Sequence, residues 1–332
     1  MSEISNTIMG SLPWRKKSTP SGWISFNAVC CHHMGQRPDD RARGGVIATA
    51  EGGVNYHCFN CHYTTGWQPG RRLSYKMRRW MGWLGISEDT ISRLALFALS
   101  QQTADVVVAE KTELPEFEPR EACPGRPIIS WLNDGHITEE NYNSLESAIR
   151  YLDQRGLGDK LNLMHWCDEG GLRNRVLVPF TWQGKPMGYS GRLTSGNSKV
   201  KYLSNYPSNM VWGYDRQVTQ RQFVIVVEGL LDAVHLDCIA VCGNEINERQ
   251  AQVIESLDKD IIVVPDRDKA GQAMMNAAVK YGWSVAFPEW HDDIKDAADA
   301  CVRYGRLFTM QSIITSAHHN RLKINLHARK WF

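Results

Sequence analysis

From Gln222 onward, short apolar runs alternate with amphipathic stretches: FVIVVE, LLDAVHLD, IAVCG, NERQAQVIESL, DIIVVPD, AGQAMMNAAVKYG and WSVAFP. Strands of this kind separated by helices of this length predict an α/β domain with a parallel sheet. Upstream, RVLVPFTWQGKPMGYSGRL predicts strands joined by turns at Gln183-Gly184 and Gly188, and ISWLNDGHITEENYNSLESAIRYLDQRG predicts short helices. RRLSYKMRRWMGWLGISEDTISRLALFAL also has a helical pattern, with Ser87 as an N-cap before EDTISRL. Between these pieces lies TELPEFEPREACPGRP, from Thr112 to Pro127, whose four prolines and four glutamates predict a linker rather than a core. Residues 20–67 are rich in Gly, Cys, His and aromatics with little helical period, the pattern of a small metal-stapled β module. The predicted architecture is multidomain: a ribbon-like β module (1–70), a helical segment with an acidic, Pro-containing linker (71–127), a basic α+β subdomain (128–220), an α/β domain (221–305) and a helical, basic tail (306–332).

Composition changes this picture little. A chain of 332 residues, 42% hydrophobic and 22% charged, is long enough for two or three cores. The first residues lack the apolar run of a signal peptide, and no window approaches the roughly 18 apolar residues that span a bilayer, so the expectation is a cytoplasmic protein without a membrane partner. Nine cysteines in such a chain point to thiols and metal ligation rather than disulfides.

Charge is more informative. The net +2 hides segregation: residues 1–80 carry 11 Lys/Arg against 4 Asp/Glu, residues 171–221 carry 8 against 1, and residues 101–170 carry 6 against 14. Two basic stretches predict polyanion-facing surfaces, while solvated faces explain the same charge equally well.

Two constellations carry chemistry. In CCHHMGQRPDDRARGG and HCFNC, ligand pairs with two residues between them suit one tetrahedral zinc ion: Cys30 and His33, then Cys58 and Cys61. Cys31 and His32 are spectators on this spacing, and either is an alternative ligand. A structural zinc does no chemistry, so the module is expected to bind something. Arg37, Arg41 and Arg43 suggest nucleic-acid phosphates, and Trp23, Phe59, Tyr63 and Trp67 offer rings for unpaired bases unless they fill the small core. The second constellation is acidic. Glu228 and Asp232 in VEGLLD and Asp266 and Asp268 in PDRDKAG supply four carboxylates, of which Glu228, Asp266 and Asp268 lie at predicted carboxyl ends of strands, where open α/β sheets place ligands. Such oxygens suit two Mg2+ or Mn2+ ions, which activate a 3′-hydroxyl and steady a pyrophosphate leaving group. Acids favoured in the first turn of a helix would look the same.

VVEGLLDAV, Gly243 in VCGNE and VVPDRDKAG together resemble the TOPRIM domain. RVLVPFTWQGKPMGYSGRL and KYLSN resemble the basic subdomain before it in bacterial replicative primases, and the zinc pattern resembles their N-terminal finger. The short chain and the C-x2-H-x24-C-x2-C spacing most resemble the separate primase subunit of T-even-like bacteriophages, which implies the host cytoplasm. The resemblance covers roughly residues 23–67 and 173–310. It implies a DNA primase that makes short RNA primers on single-stranded DNA from ribonucleoside triphosphates. It also implies Glu228 as general base or metal-organising acid, Asp266 and Asp268 as magnesium ligands, Asp232 in support, and Asp296 in KDAAD as a further magnesium ligand. Arg175, Arg192 and Lys201 match positions that bind nucleotide phosphates or template. The YPSNMVWGYDR loop departs from the family in being shorter and lacking an obvious equivalent of the basic residue that the family has between its KYLNS-like motif and the following tyrosine. No G-x-x-x-x-G-K-[ST] is present in the sequence, so a separate helicase is the expected partner in a primosome, with the basic tail from Ile313 as a docking or DNA segment. A TOPRIM nuclease or topoisomerase-like enzyme, and a non-catalytic zinc protein that binds DNA, are the competing readings.

Overall fold

The structure is a computed structural model that describes residues 2–100, 114–133, 137–196, 199–218, 221–243 and 245–332. The first two residues of the predicted linker therefore lie outside the described residues. Two compact units emerge: the first from Met1–Glu113 with Asp258–Asp260 and Asn320–Leu322, the second from the remainder.

In the first unit, five strands follow one another as an antiparallel meander: Lys16–Ser18, Ile24–Phe26, Gly44–Ala48, Val54–Cys58 and Thr64–Trp67. One face turns Phe26, Val46, Val54, Tyr56 and Trp67 into a core that also holds Ile4 and Ile8 of helix Glu3–Gly10 and Met77, Trp80 and Met81 of helix Tyr75–Trp83. The Tyr56 and Trp80 rings stack at 4.2 Å. The boundary expected at residue 70 thus falls inside one packed body, because five short strands bury too little apolar surface alone. Ser87 caps helix Glu88–Ser100 as expected, its hydroxyl accepting from the Thr90 N–H.

The second unit contains two five-stranded sheets around a shared core. The first is antiparallel, in the order Tyr202–Asn205, Lys185–Leu193, Arg175–Trp182, His165–Trp166 and Arg126–Pro127. Its central hairpin turns at Gln183 and Gly184, both at positive φ (52° and 76°), and Asp215 accepts both of their backbone N–H groups. A two-residue turn of this hand matches the natural twist of the strands.

The second sheet runs Ile239–Ala240, Phe223–Val227, Asp260–Val263, Ser284–Ala286 and Ala317–His318. It is mixed rather than all parallel. Phe223–Val227 pairs in parallel with Ile239–Ala240, and Asp260–Val263 with Ser284–Ala286, but Ala317–His318 returns antiparallel after two helices. The tail is ordered. Helix Arg321–Trp331 buries Ile324, Ala328 and Trp331, spaced to form one face, in the core of this unit.

Candidate active site and metal centre

Four thiols meet in the first unit: Cys30, Cys31, Cys58 and Cys61 lie within 4.8 Å of one another. The Cys30 and Cys61 sulfurs are 3.3 Å apart and those of Cys31 and Cys58 are 3.6 Å apart, near the roughly 3.8 Å edge of a tetrahedron with 2.3 Å Zn–S bonds. The expected ligand His33 is replaced by Cys31. Cys31 has helical dihedrals (φ −56°, ψ −47°) and opens the 3-10 turn His32–Met34. Adjacent side chains in such a turn diverge by about 120° rather than the 180° of a strand, so Cys30 and Cys31 can both turn their sulfurs toward Cys58 and Cys61. His33 is carried past it and stacks on Trp83 at 4.5 Å.

The donor set fits a zinc ion. Without a cation the thiols cannot all ionise: the Cys30 hydrogen bond pulls Cys61 down to about 5, Cys30 is held far above the ordinary range, and burial pushes Cys31 up to about 12. Outer partners orient the sulfurs, with the Tyr56 hydroxyl 3.2 Å from Cys30 and the Asn60 amide donating to Cys31 at 3.2 Å.

The arginines after this turn divide. Arg43 is spent on structure: its Nε donates to buried Asp39 at 2.8 Å and its Nη1 to Asn60, the residue that supports Cys31. Arg37 and Arg41, by contrast, are exposed. The aromatics divide too. Tyr63 and Trp67 are buried core, Trp23 is half-buried, and Phe59 is 65% exposed.

At the carboxyl edge of the mixed sheet the acids converge. Glu228 follows Phe223–Val227, and its Oε2 is buried without a hydrogen-bond partner among the described residues. Burial, then Asp268, raises its pKa. Asp266 follows Asp260–Val263 and is pushed up to about 8, first by burial and then by Glu228, Asp296 and Asp268. Asp268 caps helix Lys269–Tyr281, accepting from the Ala270 and Gly271 N–H groups at 2.9 Å. Gly271 lets the loop close: a Cβ there would stand 2.0 Å from the Asp266 carbonyl oxygen. Glu228 and Asp266, both raised by burial and by neighbouring acids that include Asp268, with one orphan carboxylate oxygen between them, are what a hard divalent cation would relieve.

Asp232 and Asp296 sit behind this edge. Asp232 is buried, its pKa raised by burial and by Asp296 and Asp266, and its Oδ1 accepts the Ala298 N–H at 2.7 Å. Asp296 caps helix Ala297–Tyr304 through the Asp299 N–H at 2.8 Å. Arg267, between the two DxD acids, points away and donates to the Trp290 and His291 carbonyls.

The basic residues taken from the resemblance separate in the same way. Arg175 is 4% exposed and gives its guanidinium to the Gly191, Val200 and Lys201 carbonyls, which makes it a clamp on the 191–201 segment rather than a phosphate contact. Lys201 is exposed, and Arg192 is half-buried. Burial raises the Asp296 pKa, and Arg155, which went unnoticed in the sequence, partly offsets that rise. Its signal was drowned by the acidic balance of residues 101–170. Cys167, Cys238 and Cys301 are buried and Cys123 and Cys242 half-buried, as expected of thiols that are not ligands.

No family model matches the chain. Among curated proteins, it is similar to the DNA primases of Myxococcus xanthus (26% identity over 274 residues, 66% of this chain and 42% of that protein) and Lactococcus lactis (25% over 227 residues, 59% and 35%). The DNA primase of Clostridium acetobutylicum is 30% identical over 117 residues, 30% of this chain and 19% of that protein. The chain thus spans less than half the length of these relatives. Among solved structures it is similar to the DnaG catalytic core (TM-score 0.42, 18% identity, 57% of this chain and 79% of that one). The zinc-binding and RNA polymerase domains of the Aquifex aeolicus primase give a TM-score of 0.40 at 15% identity, covering 99% of this chain and 89% of that one. No helix among the described residues is long and apolar enough to cross a membrane.

Proposed function

We propose that the chain is a DNA primase, a nucleotidyltransferase that joins ribonucleotides into short RNA primers on single-stranded DNA. The observation that carries this reading is the convergence of Glu228, Asp266 and Asp268 on one sheet edge from the ends of two strands, with Glu228 and Asp266 raised by burial and by neighbouring acids and the Glu228 Oε2 left without a partner among the described residues. Two Mg2+ or Mn2+ ions held there would lower the pKa of a primer 3′-hydroxyl and neutralise the leaving pyrophosphate. In this reading the α/β region is a TOPRIM domain, Glu228 serves as base or metal organiser, and Asp232 and Asp296 position the loops from behind. Arg192 and Lys201 bind nucleotide or template phosphates.

One structural Zn2+ on the four cysteines holds the first unit for template reading. Phe59 and Trp23 supply stacking surface and Arg37 and Arg41 supply phosphate contacts. The similarity to bacterial DNA primases supports the reading as a whole. The partner is a replicative helicase on a separate chain, in a primosome of the T-even phage kind, acting in the host cytoplasm.

The test is incorporation of labelled ribonucleotides on single-stranded DNA with magnesium, comparing the intact chain with Asp268→Asn. Asparagine keeps the helix cap and removes the charge. The expected loss exceeds the roughly 10–100-fold typical of partners outside the metal's own ligands. Template-dependent RNA from the variant at the intact level refutes the assignment, and DNA cleavage without RNA synthesis moves the reading to a nuclease.

A further inference from the structure

Beside the acidic edge, four side chains alternate cation and ring: Arg155, Tyr151, Arg192 and Tyr202. The Arg155 guanidinium lies 5.7 Å from the Tyr151 ring centroid, and that of Arg192 lies 6.0 Å from the same ring and 4.8 Å from Tyr202. The Arg192 Nε donates to the Tyr151 hydroxyl at 3.0 Å. The local structure explains the array. Tyr151 belongs to helix Glu139–Gln154, Arg155 is its C-cap, and Arg192 and Tyr202 stand opposite each other on neighbouring antiparallel strands.

The array abuts the helices that carry the rear acids: Gly156, next to Arg155, lies against Val302 of the helix capped by Asp296 and against His235 of the helix that holds Asp232, so that Arg155 acts on Asp296 and Asp232 on Tyr202. Two guanidiniums this close repel, and ring faces placed against each of them offset that repulsion. With Nε committed to Tyr151, Arg192 presents its two Nη groups as a planar fork, the geometry that matches a phosphate.

We propose that Tyr151 and Tyr202 are positioning residues that hold Arg192, together with Arg155, as a clamp for the triphosphate of an incoming ribonucleotide. The inference rests on the nucleotidyl-transfer reading of the acidic edge and adds to it the residues that aim the cations.

The test uses the full chain and the variants Tyr151→Phe, Tyr151→Leu, Tyr202→Phe and Tyr202→Leu, with magnesium-ATP binding at equilibrium and KM and kcat for incorporation measured separately. Loss of a ring should raise Kd and KM about tenfold while kcat changes less than about twofold. Tyr202→Phe, which keeps the ring face, restores intact values. Tyr151→Phe, which keeps the ring and loses the hydrogen bond, falls between.

Unchanged KM in both leucine variants overturns the proposal. So does a fall in kcat and Tm together with no separation of KM, which marks a packing role. If the intact chain makes no RNA yet binds magnesium-ATP with the same ranking of variants, the clamp stands and the transfer reading fails. If it binds no nucleotide, both fall.

Discussion

Asp266 shows what the acidic edge does to a single side chain. Its pKa rises from 3.8 to about 8, first through burial and then through its acidic neighbours. The folded chain therefore holds a proton that the unfolded chain releases. The stability this contributes is complete below 3.8 and is lost as pH rises through about 8. In magnesium-free buffer, Tm should fall as pH is raised from about 5 to 8, and Asp266→Asn should flatten that fall. Added magnesium should oppose it, because the metal replaces the proton as the charge that the site requires. A Tm profile identical in the intact chain and Asp266→Asn would show that this carboxyl is not the titrating group. The residue types were legible in the sequence, as E-x3-D and D-x-D after apolar strands. Their inequality was not. Burial places Asp232 behind the edge, and hydrogen bonds from the Ala270 and Gly271 N–H groups make the exposed Asp268 a helix cap as well.

At the scale of elements, the turn at Cys30 decides which ligands a metal would find. Paired spacing selected His33 on the premise that the first pair repeats the geometry of the second. The second pair does sit at a strand end with two intervening residues. The first instead enters a 3-10 turn at Cys31, which brings neighbouring cysteines together and sends His33 to Trp83. Consequently His33→Ala should retain one zinc per chain by metal analysis, whereas Cys31→Ala should lose it and lower the Tm of the first unit. Zinc lost from His33→Ala and kept in Cys31→Ala would reverse the assignment. Similar reasoning covers the basic residues. Sequence charge marks Arg43, and the resemblance marks Arg175, as phosphate contacts, but both are consumed by carboxylate, amide and carbonyl acceptors that no linear pattern announces.

At the scale of the whole molecule, the C-terminal helix supports the loop that carries Asp266 and Asp268. The Trp331 indole donates to the Pro265 carbonyl at 3.0 Å, directly before Asp266, and the Arg267 guanidinium lies 4.3 Å from its ring. Trp331→Ala should cost about 3–5 kcal/mol of stability and reduce incorporation without altering any acidic or basic contact to substrate. Trp331→Phe should recover most of the stability, since the ring volume stays and one hydrogen bond is lost. A variant with full activity and unchanged Tm would show that the helix does not brace this loop. The tail read as a basic docking segment because its four cations are visible in sequence. Its buried stripe of Ile324, Ala328 and Trp331 needed a partner surface to become meaningful.

The sequence alone determined the order of β module, helices and α/β region, the Ser87 cap, the Gln183-Gly184 turn and the acidic and cysteine-bearing loops. These depend on local period, on backbone dihedral preference and on residues adjacent in the chain. Only the tertiary structure decided the metal cluster's fourth thiol, the sharing of one core by ribbon and helices, the antiparallel edge strand and the array of Arg155, Tyr151, Arg192 and Tyr202. Each of those depends on residues far apart in the chain competing for the same space or the same charge, and that competition has no period to read.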